Sequence, residues 1–233
     1  MKTISELKNW EEAIGQVVQE DCLEFMKMMP DKCVDLVLTD PPYGIGYENK
    51  KSTGRKNYSH FGDIIGDEKT IDYSALIKEL ERLAKIVIVF GANCFPLHLP
   101  HEGRWICWDK RTNEKADKAL GSPFELAWIN KKTGYNKIYR VMHGGIINAD
   151  APKPGQIVPR FHPTQKPIKL FQKIIKDFTN ESDLIFDPFM GSFTTAVAAE
   201  SLERRWIGTE ISPEYCKIGE ERIRILRSQP KMF

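Results

Sequence analysis

The chain has 233 residues, 41% of them hydrophobic and 28% charged, with a formal net charge of +2. That supports one enzyme-sized domain able to bury a sheet of six or seven strands. No stretch is long and apolar enough to cross a membrane, and Met1 to Trp10 mixes Lys, Glu and Asn where a secretory leader would be cationic and then apolar. Five cysteines form no disulfide framework, so a cytoplasmic protein with reduced thiols is expected.

In chain order, Ile4 to Val18 reads as a helix leading to a short strand at Val17-Val18. Asp21 follows at that strand's carboxyl end, where it suits a cofactor contact or, equally, the N-cap of a helix over Leu23 to Met29. The apolar run Val34 to Leu38 reads as a buried strand that delivers Asp40-Pro41-Pro42-Tyr43. This tetrapeptide is either a rigid turn or a site for an exocyclic amino group, whose lone pair is delocalised into a planar ring. In the second reading Asp40 and the Pro41 carbonyl accept the two N–H groups, and Tyr43 offers a face for stacking.

Ile71 to Lys85 carries a helical stripe at Leu76, Leu80 and Leu83, followed by a buried parallel strand over Lys85 to Phe90. Arg104 to Trp108 and Glu125 to Asn130 read as an antiparallel edge. Cys94, His98, His101 and Cys107 have zinc-ligating side chains, but Pro96 and Pro100 stiffen that loop and Cys107 falls in an apolar run, so packing is the preferred reading and no metal is expected.

Pro167 starts a helix with a stripe at Ile168, Phe171, Ile175 and Phe178, and Leu184 to Phe186 is the next strand. It runs into Asp187-Pro188-Phe189-Met190-Gly191-Ser192-Phe193-Thr194-Thr195 and the Ala-rich helix at Ala196 to Ala199, a strand, turn and helix of cofactor-loop type. About twenty residues further on, Glu210 ends the strand Trp206 to Thr209, where a carboxylate can take both ribose hydroxyls. A single Gly does not provide for close approach to a pyrophosphate, so a nucleoside cofactor without phosphates fits better than a dinucleotide. Ser212-Pro213 opens the last helix.

Together these residues resemble the amino-group DNA methyltransferases of the beta-class, the N6-adenine/N4-cytosine family in which the catalytic motif precedes the cofactor motif. Glu20 to Glu24, Phe90-Gly91-Ala92-Asn93 and Phe161-His162-Pro163-Thr164-Gln165-Lys166-Pro167 add to the likeness, which covers nearly the whole chain. Phe193 and Glu20 stand where the family usually has Gly. Phe193 either narrows the methionine pocket or points into the helix–sheet interface.

The resemblance implies an α/β fold with a doubly wound, mostly parallel seven-stranded sheet, Rossmann-like and circularly permuted, in a single methyltransferase domain over 1–233. It implies S-adenosyl-L-methionine as cofactor, held by Asp21, Cys22, Asp40, Thr164, Lys166, Asp187, Pro188, Phe189, Gly191, Ser192, Thr194, Glu210 and Ile211. Catalysis falls to Asp40, Pro41, Pro42 and Tyr43, and double-stranded DNA is the partner. Adenine N6 is favoured because cytosine members more often carry Ser in place of Asp40; cytosine N4 stays open. Enzymes that methylate glutamine in proteins share the Pro-Pro-Tyr turn, but usually begin it with Asn and place it after the cofactor motif. An inactive DNA-binding relative is the third reading. A homodimer and a cognate restriction endonuclease are partners suggested by relatives alone.

Between Glu125 and Asp177 the only acidic residue is Asp150, against many basic ones. Lys131, Lys132, Lys137 and Arg140, and the second group Lys50, Lys51, Arg55 and Lys56, are therefore expected to track phosphates. Residues 44–70 read as a mobile loop over the active site and 131–160 as a small target-recognition segment, which implies a short target. The target base would have to be flipped out of the duplex.

Overall fold

The computed structural model describes residues 2–43, 71–111, 122–132, 134, 136–143, 149–151 and 165–229. Its strands are β1 (Val17–Val18), β2 (Val34–Thr39), β3 (Ala84–Phe90), β4 (Arg104–Asp109), β5 (Phe124–Ile129), β6 (Lys137–Arg140), β7 (Leu184–Asp187) and β8 (Arg205–Thr209). The helices are α1 (Cys22–Met26), α2 (Tyr73–Leu83), α3 (Ile168–Phe178), α4 (Thr194–Glu200) and α5 (Pro213–Ser228). The strands form one sheet in the order β1-β8-β7-β2-β3-β5-β4-β6.

Strand alternation builds two cores. Leu36 and Leu38 of β2 and Ile88 and Phe90 of β3 face α3, α4 and α5. Val37 of β2 and Val87 and Val89 of β3 face α1 and α2. A sheet buried on both faces needs apolar residues at odd and even positions alike, which is why β2 and β3 read as nearly continuous apolar runs. The fold is thus the expected α/β arrangement with helices on both faces.

Three expectations are corrected. The segment before β1 is not a helix: it forms short 3-10 turns at Ile4–Glu6 and Trp10–Ala13, the second capped by Asn9 and followed by Gly15 at φ 77°. The sheet among the described residues has eight strands where seven were expected. The addition is β6, which pairs in parallel with β4 from Ile106↔Lys137 to Asp109↔Arg140; its short, charged sequence reads as loop. Finally, β4 and β5 do not together form an antiparallel edge. Only β5 runs against its neighbours, so β4 and β6 point the same way as β3.

Two contacts fix the cofactor-loop side. Asp150, the acidic residue isolated in a basic stretch, accepts the Ile168 and Lys169 N–H groups at 3.0 and 3.1 Å, so a remote side chain caps α3. Phe193 is fully buried at the N-cap of α4 with φ 65° and ψ 32°, a left-handed conformation that strains a non-glycine residue by about 1–2 kcal/mol. Its ring points away from the loop, edge-on to Trp206 at 6.3 Å, and occupies the space where Gly219 of α5 lacks a Cβ. The interface reading of Phe193 is therefore the one the fold adopts.

A Cβ at Gly219 would overlap that ring. Gly219→Ala is accordingly expected to destabilise the fold by about 2 kcal/mol, a fall in Tm of roughly 4–8 °C. Phe193→Ala should suppress most of that increment in a double-mutant cycle followed by thermal denaturation; strict additivity would show that the two residues do not share the space.

Candidate methyl-transfer site

The motif residues gather at the carboxyl ends of β1, β8, β7, β2 and β3, because parallel strands put all these ends on one side. β2 and β7 are direct neighbours, with Leu36 opposite Ile185 and Val37 opposite Phe186. Their last residues are tied together: Thr39 Oγ1 donates to Asp187 Oδ1 at 2.7 Å.

Asp187 is enclosed, and its carboxylate also accepts Thr195 Oγ1 at 2.5 Å and Phe189 N–H at 3.0 Å. It anchors the loop from inside. Burial pushes its pKa up to about 6, with the hydrogen bonds from Thr195, Thr39 and Phe189 N–H offsetting part of the effect. The Pro188 carbonyl accepts Thr209 Oγ1, Thr194 Oγ1 donates to the Lys166 carbonyl, and the Ser192 carbonyl accepts from Arg222. Burial lowers that guanidinium to about 10. Asp187, Pro188 and Thr194, expected as cofactor contacts, thus give these groups to holding the loop.

Glu210 ends β8. Its Oε2 accepts Gly191 N–H at 2.7 Å and its Oε1 accepts Ser212 N–H at 2.8 Å. Burial raises its pKa, and the bonds from the Ser212, Gly191 and Ile211 N–H groups work the other way. With these three N–H donors on two oxygens that together can accept about four, the carboxylate keeps acceptor capacity, which suits a vicinal diol. Ile211 beside it is 42% exposed, an apolar surface at the mouth of the site. Asp21 caps α1 by accepting Leu23 N–H at 2.8 Å. Burial, with Asp21 adding to it, pushes the adjacent Cys22 thiol up to about 12.

On the catalytic side, Tyr73 donates its hydroxyl to the Pro42 carbonyl at 2.8 Å and stacks on Phe95 at 4.0 Å, which pins the Pro-Pro turn. Tyr43 lies against Gly91, at φ +67°, where any Cβ would collide with its ring; the glycine after β3 makes that seat. The Tyr43 hydroxyl donates to Asp40 Oδ1 at 2.5 Å, and burial followed by Asp40 raises its pKa.

Asp40 Oδ2 is held by Lys166. Lys166 was expected to touch the cofactor; its enclosed ammonium instead pairs with Asp40 and with Glu125 Oε2 at 3.3 Å, above the Phe90 ring. Burial opposes its charge, but Asp40, Tyr43 and Glu125 outweigh that and keep it protonated. Glu125, missed in the sequence reading, also pairs with Lys110. The available signal was a carboxylate inside the apolar run Phe124 to Ile129.

The basic residues separate by strand direction. Because β5 runs backwards, Lys131 and Lys132 emerge at the end of the sheet away from Asp40, where Lys132 pairs with Glu102 and Lys131 lies over Phe178. Lys137 starts β6 on that side and pairs with Asp177 at 2.7 Å. These three are not placed beside the site. Arg140 ends β6 at the site's end, 3.6 Å from Asp109. Lys50, Lys51, Arg55, Lys56 and Thr164 lie outside the described residues, as do all of 44–70 and 152–160. Among the described residues there is no group of three or more metal-ligating side chains and no helix long and apolar enough to cross a membrane.

The DNA methylase family of N6/N4 type matches residues 101–221. The type II methyltransferase M2.DpnII of Streptococcus pneumoniae is 52% identical over 246 aligned positions, covering 89% of this chain and 88% of that protein. The chain belongs to the N6/N4 DNA methylase family. Its fold is that of the M1.HpyAVI complex with S-adenosylmethionine (TM-score 0.55, 20% identity, 89% of this chain and 98% of that one). It is also that of the PvuII cytosine-N4-specific DNA methyltransferase (TM-score 0.56, 20% identity, 92% and 93%). The enzyme is thus a DNA methyltransferase. Beside the loop at Gly191 stands Glu210, a carboxylate with acceptor capacity to spare, next to the exposed apolar side chain of Ile211.

The Asp187 pKa gives an expected pH dependence. Raised from 3.8 to about 6 in the fold, this group binds its proton more tightly folded than unfolded, so its contribution to stability falls as pH rises through that interval and is constant above it. Urea denaturation across the interval should show that decline in the wild type and not in Asp187→Asn; identical pH slopes would refute the assignment.

Proposed function

We propose that the enzyme transfers a methyl group to the exocyclic N6 of an adenine flipped out of a short double-stranded DNA target. The observation that supports this most is the state of Asp40: one oxygen is committed to Lys166 and the other faces the site, held by the Tyr43 hydroxyl. An incoming amino group replaces that hydroxyl on Oδ1 and gives its second N–H to the Pro41 carbonyl, which turns the nitrogen lone pair towards the methyl donor. The cofactor, when bound, supplies an activated sulfonium methyl. Glu210 and the Gly191 loop hold it, and the β2–β7 contact sets its distance from Asp40.

Tyr43, released from Asp40, keeps its ring for stacking on the base, which offsets part of the few kcal/mol of unstacking. Adenine is preferred to cytosine on the Asp at position 40. Arg140 and the basic residues of 44–70 are the proposed phosphate contacts, so activity should fall steeply with salt.

The test is incubation with radiolabelled S-adenosylmethionine and unmethylated genomic DNA, then digestion and chromatography of nucleosides. Label is expected in N6-methyladenine; label in N4-methylcytosine would overturn the base assignment, and no label on DNA would overturn the proposal. Asp40→Ala should abolish transfer with calorimetric cofactor affinity within about threefold of wild type. Tyr43→Phe should retain far more activity than Tyr43→Ala, since stacking needs the ring; equal losses would implicate the hydroxyl instead.

A further inference from the structure

We propose that Lys166 and Glu125 are positioning residues for methyl transfer: Lys166, clamped by Glu125, selects which oxygen of Asp40 faces the substrate and holds the carboxylate there while the target's amino group displaces the Tyr43 hydroxyl. The inference rests on the methyl-transfer reading above.

The geometry is a string of alternating charges on the α3 face of the sheet. It runs Lys110, Glu125, Lys166, Asp40 and ends on the Tyr43 hydroxyl. The side chains of Lys166 and Asp40 are 6% and 17% exposed, so solvent screens this pair far less than a surface one. Glu125 Oε2 is enclosed and 3.3 Å from the ammonium, yet it makes no hydrogen bond of normal geometry. It therefore holds Lys166 chiefly by charge, and the ammonium's shorter, directed hydrogen bond goes to Asp40.

Two features argue for use in the reaction over stability. A buried ion pair is seldom better for folding than apolar residues of the same volume, and Phe90 and Phe171 stack at 5.5 Å beside it, so an apolar filling was available. The pairing is also asymmetric. Lys166 occupies Oδ2 and the neutral Tyr43 hydroxyl occupies Oδ1, so only Oδ1 can be exchanged for a substrate donor without uncovering the ammonium. The role is positional, and no proton passes through Lys166.

The full-length enzyme, tritiated S-adenosylmethionine and unmethylated genomic DNA provide the test. Lys166→Met should lower kcat by about 100-fold, the scale of a small misplacement at the reacting centre, with calorimetric cofactor affinity within about threefold of wild type. Glu125→Gln should lower kcat by about tenfold. The double variant Lys166→Met/Glu125→Gln, which also removes the buried carboxylate that has lost one of its two lysines, should recover activity over Lys166→Met and keeps the test usable if the single variant does not fold. Lys166→Arg should restore part of the activity. Near-normal kcat in the folded Lys166 variants, or a loss of cofactor affinity that accounts for the whole defect, would overturn the proposal and return Lys166 to the cofactor contacts. Label-free DNA with the wild type would sink the methyl-transfer reading and this inference with it, whereas label with the wild type and unchanged turnover in the variants sinks only the inference.

Discussion

The hydrogen bond from Thr39 to Asp187 joins the last residue of the catalytic strand to the last residue of the cofactor strand, 148 positions apart in sequence. Methyl transfer demands that a nucleophile and a sulfonium meet within a few tenths of an ångström of the productive geometry. Loops following separate strands cannot guarantee that by themselves; the β2–β7 register and this buried bond fix the two strand ends relative to one another. Asp187 pays for burial with three donors, which is why a carboxylate can sit at the junction in spite of a raised pKa.

The same accounting of donors sorts the carboxylates at this end of the sheet. Asp187 and Asp150 have their oxygens turned towards protein donors, and what they fix is backbone: the cofactor loop and the start of α3. Glu210 and Asp40 differ. Glu210 has backbone N–H donors on both oxygens and acceptor capacity left, and Asp40 is bonded on one oxygen by the Lys166 ammonium and on the other by the neutral Tyr43 hydroxyl. Carboxylates with capacity to spare at a shared crevice are the ones available to ligands. Because Asp150 caps α3 just beyond Lys166, the ammonium on Asp40 is supported by a segment that contributes nothing to catalysis directly.

Much of this was legible in the sequence, for definite reasons. Apolar runs located β2, β3, β7 and β8, since doubly buried strands have no other reading, and the turn chemistry at Asp40 and Gly191 followed from what lies at strand ends. Direction was not legible. Nothing in Phe124 to Ile129 states that β5 runs backwards, yet that reversal carries Lys131 and Lys132 to the far end of the sheet and brings Glu125 to the site. Nor does composition show pairing: the basic stretch is partly neutralised by Asp177, Glu102 and Asp109, acidic residues distant in sequence from most of their partners. The first segment misled because its apolar spacing is helix-like while Asn9 and Gly15 break it into turns.

Phe193 separates two demands that a glycine at this place in a cofactor loop usually meets at once. One is backbone handedness, and the chain meets it under strain, with a side chain in the left-handed region. The other is room, and the ring has been turned out of the loop into the space left by Gly219 on α5, so the glycine has in effect moved from loop to helix. Burying an aromatic ring is worth more than the strain opposes, so the exchange is stable as a pair. The Gly191 N–H still reaches Glu210, so the ring's displacement leaves that loop contact in place. The departure that looked most damaging to cofactor binding therefore acts on the packing of α4 against α5, and the constraint on the sequence shifts from position 193 to position 219.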